Sequence, residues 1–203
     1  MSENIEIKIA RTKEEQNQAF YVRYKVFVEE RKNFDLSEYA EQKERDEWDD
    51  LETTVNFLAL YDKKPVGTVR MIVDSEKGLP LEKYLDLFSM RKGNKMPCEG
   101  GRYAVLKDYR SRRKIWVGLL KILLNYTRMK NFDHMYGLSS SNMKKLHQMV
   151  GWYPIGKEIF SSEFNDYIIP MRLELDKIRE PFRKFFAEPW QEIEKPYHEY
   201  KNG

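Results

Sequence analysis

Glu99 and Arg102 stand three residues apart in the stretch Met96–Arg113, MPCEGGRYAVLKDYRSRR. The residues around them predict a short buried strand, Arg102–Leu106, then a basic turn, then an amphipathic run from Ile115 to Lys130. A carboxylate on a strand edge, feeding a cationic turn at a helix start, suits acyl transfer from an anionic carrier to an amine. That reaction needs a base for the amine proton, donors for the developing oxyanion and a channel for the acyl chain.

Other charged residues suit the same chemistry. Arg23 lies four residues before Phe27, so guanidinium and ring share one helix face. An arginine on a buried side needs an anionic partner or a ligand; an ion pair with an acidic loop and a substrate contact are equal readings. Asp46 and Asp49 bracket Trp48. Two carboxylates and an indole can hold an amine through charge-assisted hydrogen bonds and a cation–π face, or form a solvated acidic loop. Arg70, between Val69 and Met71, points to the opposite face from its neighbours, towards solvent or a cleft. Residues 29–52 carry eleven acids against four bases, and residues 107–130 carry eight bases against one acid. Unless these are simply solvated faces, one region could attract a cation and the other an anion.

The elements that must position these residues follow from periodicity. Ile5, Ile7 and Ile9 alternate as a first strand, and Thr12 with Glu15 opens a helix running to about Glu30. Residues 32–52 read as a long loop with a short helix within Ser37–Glu44. Val55–Tyr61 and Pro65–Val73 form a hairpin. A helical segment Leu81–Phe88 and a polar loop Arg91–Pro97 lead to the central strand. Strand His134–Leu138, a helix carrying Met143, Leu146, Met149 and Val150 and ended by Gly151, and paired strands Trp152–Ile159 and Tyr167–Leu175 complete the order. This is an α/β mixed sheet flanked by helices on both faces. Residues 1–176 are expected to be one domain. Residues 177–203 form an aromatic and basic tail, helical to about Ala187, that packs on the domain, joins a dimer or makes peripheral membrane contact.

A net charge of +3 is too small to argue for nucleic acid, and no stretch has the length of apolar sequence needed to span a membrane. The single cysteine, Cys98, forms no internal disulfide and fits a reducing, cytoplasmic setting. Cys98 has no histidine near it, and His134, His147 and His198 show no motif, so neither covalent catalysis nor a metal is expected.

Met143–Gly156 resembles the late helix–glycine–aromatic strand segment of the GNAT acyltransferases. Four further motifs resemble the acyl-homoserine lactone synthases and N-acyl amino acid synthases: Arg23-x-x-x-Phe27, Asp46-x-x-Asp49, Gly67-Thr-Val-Arg70 and Glu99-x-x-Arg102-Tyr-Ala-Val, which with Met143–Gly156 make five in order over about residues 5–160. Gly101 departs from the usual Ser or Thr, Phe34 stands near a usual tryptophan, and the hairpin continuation is closer to the amino acid synthase branch. The turn Arg110-Ser-Arg-Arg-Lys lacks the glycines with which acetyl-CoA-dependent relatives cradle a pyrophosphate. The resemblance implies a GNAT fold and fatty acyl transfer to the amine of an amino acid or similar small molecule. The donor would be an acyl carrier protein, with acyl-CoA as the other thioester and no permanently bound cofactor. Glu99 would be the base, through a water, with Arg102 beside it. Arg23, Phe27, Asp46, Trp48, Asp49 and Arg70 would form the acceptor side. Backbone N–H groups near Ala104, Val105 and Leu106 would face the thioester oxygen, with Arg110, Arg112, Arg113 and Lys114 meeting the carrier. Leu119, Leu123, Met149 and Trp152 are either channel or ordinary core. The alternatives are a homoserine lactone synthase using S-adenosylmethionine, an acetyl-CoA-dependent acetyltransferase and a non-catalytic carrier-binding module.

Overall fold

The computed structural model describes residues 4–87, 97–180 and 182–185. Strand β1 (Ile5–Ile9) turns Ile7 and Ile9 into the core. Thr12 caps helix α1 (Lys13–Arg23): its hydroxyl accepts from the Glu15 N–H while the Glu15 carboxylate accepts from the Thr12 N–H. The helix continues past Arg23 as a π-helical segment, Tyr24–Glu30, a wider winding that often marks functional sites. In the acidic stretch that follows, a 3₁₀ turn at Leu36–Glu38 replaces the helix expected within Ser37–Glu44.

Strands β2 (Thr54–Tyr61) and β3 (Lys64–Val73) form the expected hairpin. Its tip residues Asp62 and Lys63 are both left-handed, at φ 47° and 66°, the pattern that matches the twist of a two-residue hairpin. After a 3₁₀ turn at Pro80–Lys83 comes β4 (Cys98–Val105). It starts four residues earlier than the expected Arg102, because Cys98–Gly101 also pairs with β3. Next come helix α2 (Arg113–Met129), β5 (His134–Ser140) and α3 (Lys144–Val150), which ends at Gly151 with φ 127°. The run Trp152–Ile159 divides into β6 (Tyr153–Pro154), which the Ile155 N–H prolongs by a bond to the Pro170 carbonyl at 3.0 Å, and β7 (Ile159–Ser161). Both pair antiparallel with β8 (Asp166–Glu174). Ile178 and Phe182, the latter in the short helix α4 (Phe182–Phe185), pack on the main core. Phe88, the loop 91–96 and the tail beyond Phe185 lie outside the described residues.

Among the described residues the sheet runs β1-β2-β3-β4-β5-β8-β6, with β7 also on β8. All neighbours are antiparallel except β4 and β5, which are parallel and share one pair, Glu99 with Tyr136. Phe57 of β2 packs with Ile115, Leu119, Ile122 and Leu123 of α2, while the alternate residue Leu58 packs with Ala19 of α1. The two helices therefore cover opposite faces.

Candidate active site

Beyond the Glu99–Tyr136 pair, β4 and β5 part. A cavity of about 630 Å³ fills the opening, lined by Glu99–Tyr103 and Val105 from β4 and by Gly137–Ser140 around β5. Trp116, Leu120 and Leu123 of α2, His147 and Val150 of α3, Trp152 and Phe182 give it a largely apolar wall. Two glycines allow the strands to touch at the vertex. A Cβ at Gly100 would stand 2.7 Å from the Met135 sulfur, and one at Gly137 would stand 2.9 Å from the Gly100 carbonyl oxygen.

The β3–β4 register shifts between Thr68, which faces Ala104, and Arg70, which faces Gly101. Val69 thus opposes both Arg102 and Tyr103, which is a β-bulge with Arg102 at φ 52°. The Leu106 N–H donates to the Val66 carbonyl at 2.9 Å. Alternation along an antiparallel ladder turns Ala104 the same way and leaves the Val105 N–H facing the cleft. Of the three expected backbone donors, the ladder therefore takes Ala104 and Leu106.

Three arginines from three elements meet three carboxylates from one loop. Arg23 of α1, fully buried, donates from Nη1 and Nη2 to the two Asp49 oxygens at 2.8 Å each, and from Nε to Glu44. Arg70 of β3 donates from Nη1 to Asp46 at 2.6 Å and to Asp49 at 2.9 Å. Arg102 donates to Glu44 at 3.1 Å and to Asp46 at 3.0 Å. Its guanidinium lies between the rings of Phe34 and Phe164, 5.6 and 5.0 Å from their centres. Burial alone would raise the pKa values of Glu44, Asp46 and Asp49, but the guanidiniums outweigh it and hold all three below the usual carboxylate range. Arg23 is thus an ion-pair partner of the acidic loop, and Glu44 is the member that the sequence pattern did not single out.

Glu99 is the exception to this neutralisation. It is buried, its Oε2 accepts the Leu81 N–H at 2.8 Å, and it makes no ion pair among the described residues. Burial pushes its pKa up to about 7, against the opposing pull of the Leu81 N–H, Arg70 and Arg102. Beside it, the buried Nε of Arg70 has no hydrogen-bond partner among the described residues. A Cβ at Gly101, the register partner of Arg70, would meet nothing within 4 Å. A carboxyl group poised near neutrality, a free guanidinium edge and open space next to both can receive a small amphoteric molecule.

The remaining expected residues are spread more widely. Phe27, Arg70, Val105, Arg110, Leu123 and Trp152 line the cavity. Trp48 is buried against Ile72, Leu79 and Leu81, and its ring face is met by Lys77 and Lys83 of this chain, 5.5 and 5.0 Å from the centre. Leu119 lies under Gly67 in the core, and Met149 is 58% exposed; neither lines the cavity. Arg110 holds Glu30 through two bonds of 2.6 and 2.7 Å, Arg112 stacks on Tyr61, and Arg113 and Lys114 are exposed at the start of α2. Among the described residues no group of three His, Cys, Asp or Glu side chains is placed to hold a metal ion, and no helix is long and apolar enough to cross a membrane.

The model of the N-acyl amino acid synthase FeeM family matches residues 18–174. The chain belongs to that family. It is an N-acyltransferase, and its fold is that of the GNAT enzymes. The solved structure of FeeM, an N-acyl amino acid synthase from uncultured soil microbes, superposes with TM-score 0.73 at 15% identity, over 92% of this chain and 97% of that one. BjaI, a CoA-dependent acyl-homoserine lactone synthase seen with S-adenosylmethionine and isopentyl-CoA, gives 0.68 at 19% identity, over 96% and 91%. The homoserine lactone synthase LasI gives 0.66 at 17%, over 86% and 91%. At these identities the likeness speaks for the fold. No curated protein matches the chain by sequence.

Proposed function

We propose that this enzyme transfers a fatty acyl group from an acyl carrier protein thioester to the amine of an amino acid. The observation that carries the reading is Glu99 beside the Nε of Arg70, which has no hydrogen-bond partner among the described residues, at the foot of an apolar cavity. Arg70 receives the acceptor carboxylate, and Glu99, acting through a water, takes a proton from the neighbouring amine. The amine nitrogen then attacks the thioester carbonyl carbon, and the Val105 N–H donates to the oxygen as charge develops there. Leu123 and Trp152 border the acyl chain, and Phe27 borders the acceptor. Arg23, Asp46, Asp49 and Arg102 act through their mutual pairing, which fixes Arg70 and the bulge. The exposed Arg113 and Lys114 meet the acidic carrier. The test offers purified enzyme long-chain acyl carrier protein or acyl-CoA, with each amino acid or S-adenosylmethionine, and reads products by mass spectrometry. Acyl amino acid from the carrier thioester, absent with Glu99→Gln, is expected. Product from S-adenosylmethionine alone would overturn the acceptor assignment, and product from acyl-CoA alone would overturn the donor.

A further inference from the structure

Ser139 and His147 form a second polar pair in the cavity wall, on the side away from Glu99. The His147 Nδ1 and Ser139 Oγ are 2.7 Å apart, and both residues line the cavity. Ser139 is buried, and its hydroxyl also donates to the Ser140 carbonyl at 3.0 Å. With the hydroxyl proton placed there, Nδ1 carries the ring proton and Nε2 is a bare, basic nitrogen. Nε2 has no hydrogen-bond partner among the described residues. The ring rests on Trp152, with centres 5.9 Å apart, and burial lowers the His147 pKa, which keeps the imidazole neutral.

The position of the pair is set by the parting of the strands. Arg102 lies three residues beyond Glu99, and Ser139 lies three beyond Tyr136, the partner of Glu99. Each strand has run about 10 Å past the shared pair by then. Ser139 therefore stands across the opening from the bulge, so a thioester whose carbonyl meets the Val105 N–H of β4 would turn its sulfur towards β5 and α3. Proton accounting gives the pair a task. An amine acceptor arrives as an ammonium ion and ends as an amide, so its nitrogen loses two protons. One goes to solvent, and the other leaves with the thiol.

Resting on the acyl-transfer reading above, we propose that Glu99 handles the first proton and His147 the second. In the tetrahedral adduct the nitrogen carries a positive charge. His147 Nε2 accepts its proton, the C–S bond breaks with its electron pair going to sulfur, and the same Nε2–H then protonates the thiolate. Ser139 is a positioning residue that holds the ring in the required tautomer.

The test compares two acyl donors that share one acyl chain, an alkyl thioester of pantetheine and an aryl thioester whose thiophenolate leaves without a proton. With the alkyl donor, His147→Gln is expected to lower kcat about 100-fold; with the aryl donor the loss should stay under about tenfold. Ser139→Ala should show a smaller loss with the same donor dependence, and Glu99→Gln should be equally impaired with both. An equal loss for His147→Gln with both donors, or none with either, overturns the assignment. If the unaltered enzyme makes no amide from either donor or from acyl carrier protein bearing the same chain, the acyl-transfer reading itself fails, which is a separate result.

Discussion

Glu99 is held where a carboxylate resists ionising. Its folded pKa of about 7 lies above the ordinary 4.5, so between those values the unfolded chain releases a proton that the folded chain keeps. Stability therefore falls as pH rises through that window, by roughly 3 kcal/mol once both states are ionised. Glu99→Gln has no charge to bury, and its amide oxygen can still accept the Leu81 N–H. The substitution should cut turnover about 10²- to 10⁴-fold and yet raise the urea midpoint at pH 8.5, while leaving it near that of the unaltered protein at pH 5. A lower midpoint at pH 8.5 would mean that the carboxylate contributes to folding rather than opposing it.

At the scale of elements, what could be read from the chain was what repeats locally. The capping box at Thr12, the hairpin and the amphipathic α2 stand where periodicity places them. The bulge had no such signal. It arises from pairing between Val69 and residues more than thirty positions away, and the Gly100-Gly101 dipeptide lies in β4 although the expected strand starts only at Arg102. The partners of Arg23, Arg70 and Arg102 are likewise 21 to 58 residues distant, so sequence could say that a partner was needed but not which. His147 was within reach: Met143, Leu146, His147 and Val150 follow the i, i+3, i+4, i+7 spacing, which sets the histidine on the face turned to the cavity. One vertex glycine and one glycine in open space beside it give a prediction at this scale. In Gly137→Ala the new methyl meets the backbone oxygen of Gly100 at 2.9 Å, so the strands must shift, at a cost of about 1–3 kcal/mol. Gly101→Ala enters open space and should leave stability within about 0.5 kcal/mol. Thermal unfolding of the two variants side by side distinguishes them, and equal losses would place the vertex elsewhere.

Across the whole molecule, one acidic loop closes the sheet edge of the site by neutralising arginines from α1, β3 and β4. Breaking one partner of such a buried set leaves an uncompensated charge, so Arg23→Met should cost about 3–5 kcal/mol. Because the groups are buried, added salt should change the urea midpoint little. The cluster and Glu99 act on pH in opposite senses. The carboxylates of Glu44, Asp46 and Asp49 have depressed folded pKa values. Their contribution is present above the ordinary carboxylate range of about 4 and is lost as pH falls through and below it. Glu99 weakens the fold as pH rises from 4.5 towards 7. Stability should therefore peak on the acid side of neutrality, near pH 5, and decline on both flanks. Glu99→Gln should flatten the alkaline flank alone, and Arg23→Met, by removing the charge that keeps Glu44 and Asp49 ionised, should flatten the acid flank alone. Urea midpoints from pH 3 to 9 for the three proteins test this. A single flank altered by both substitutions would show that Glu99 and the cluster titrate as one unit.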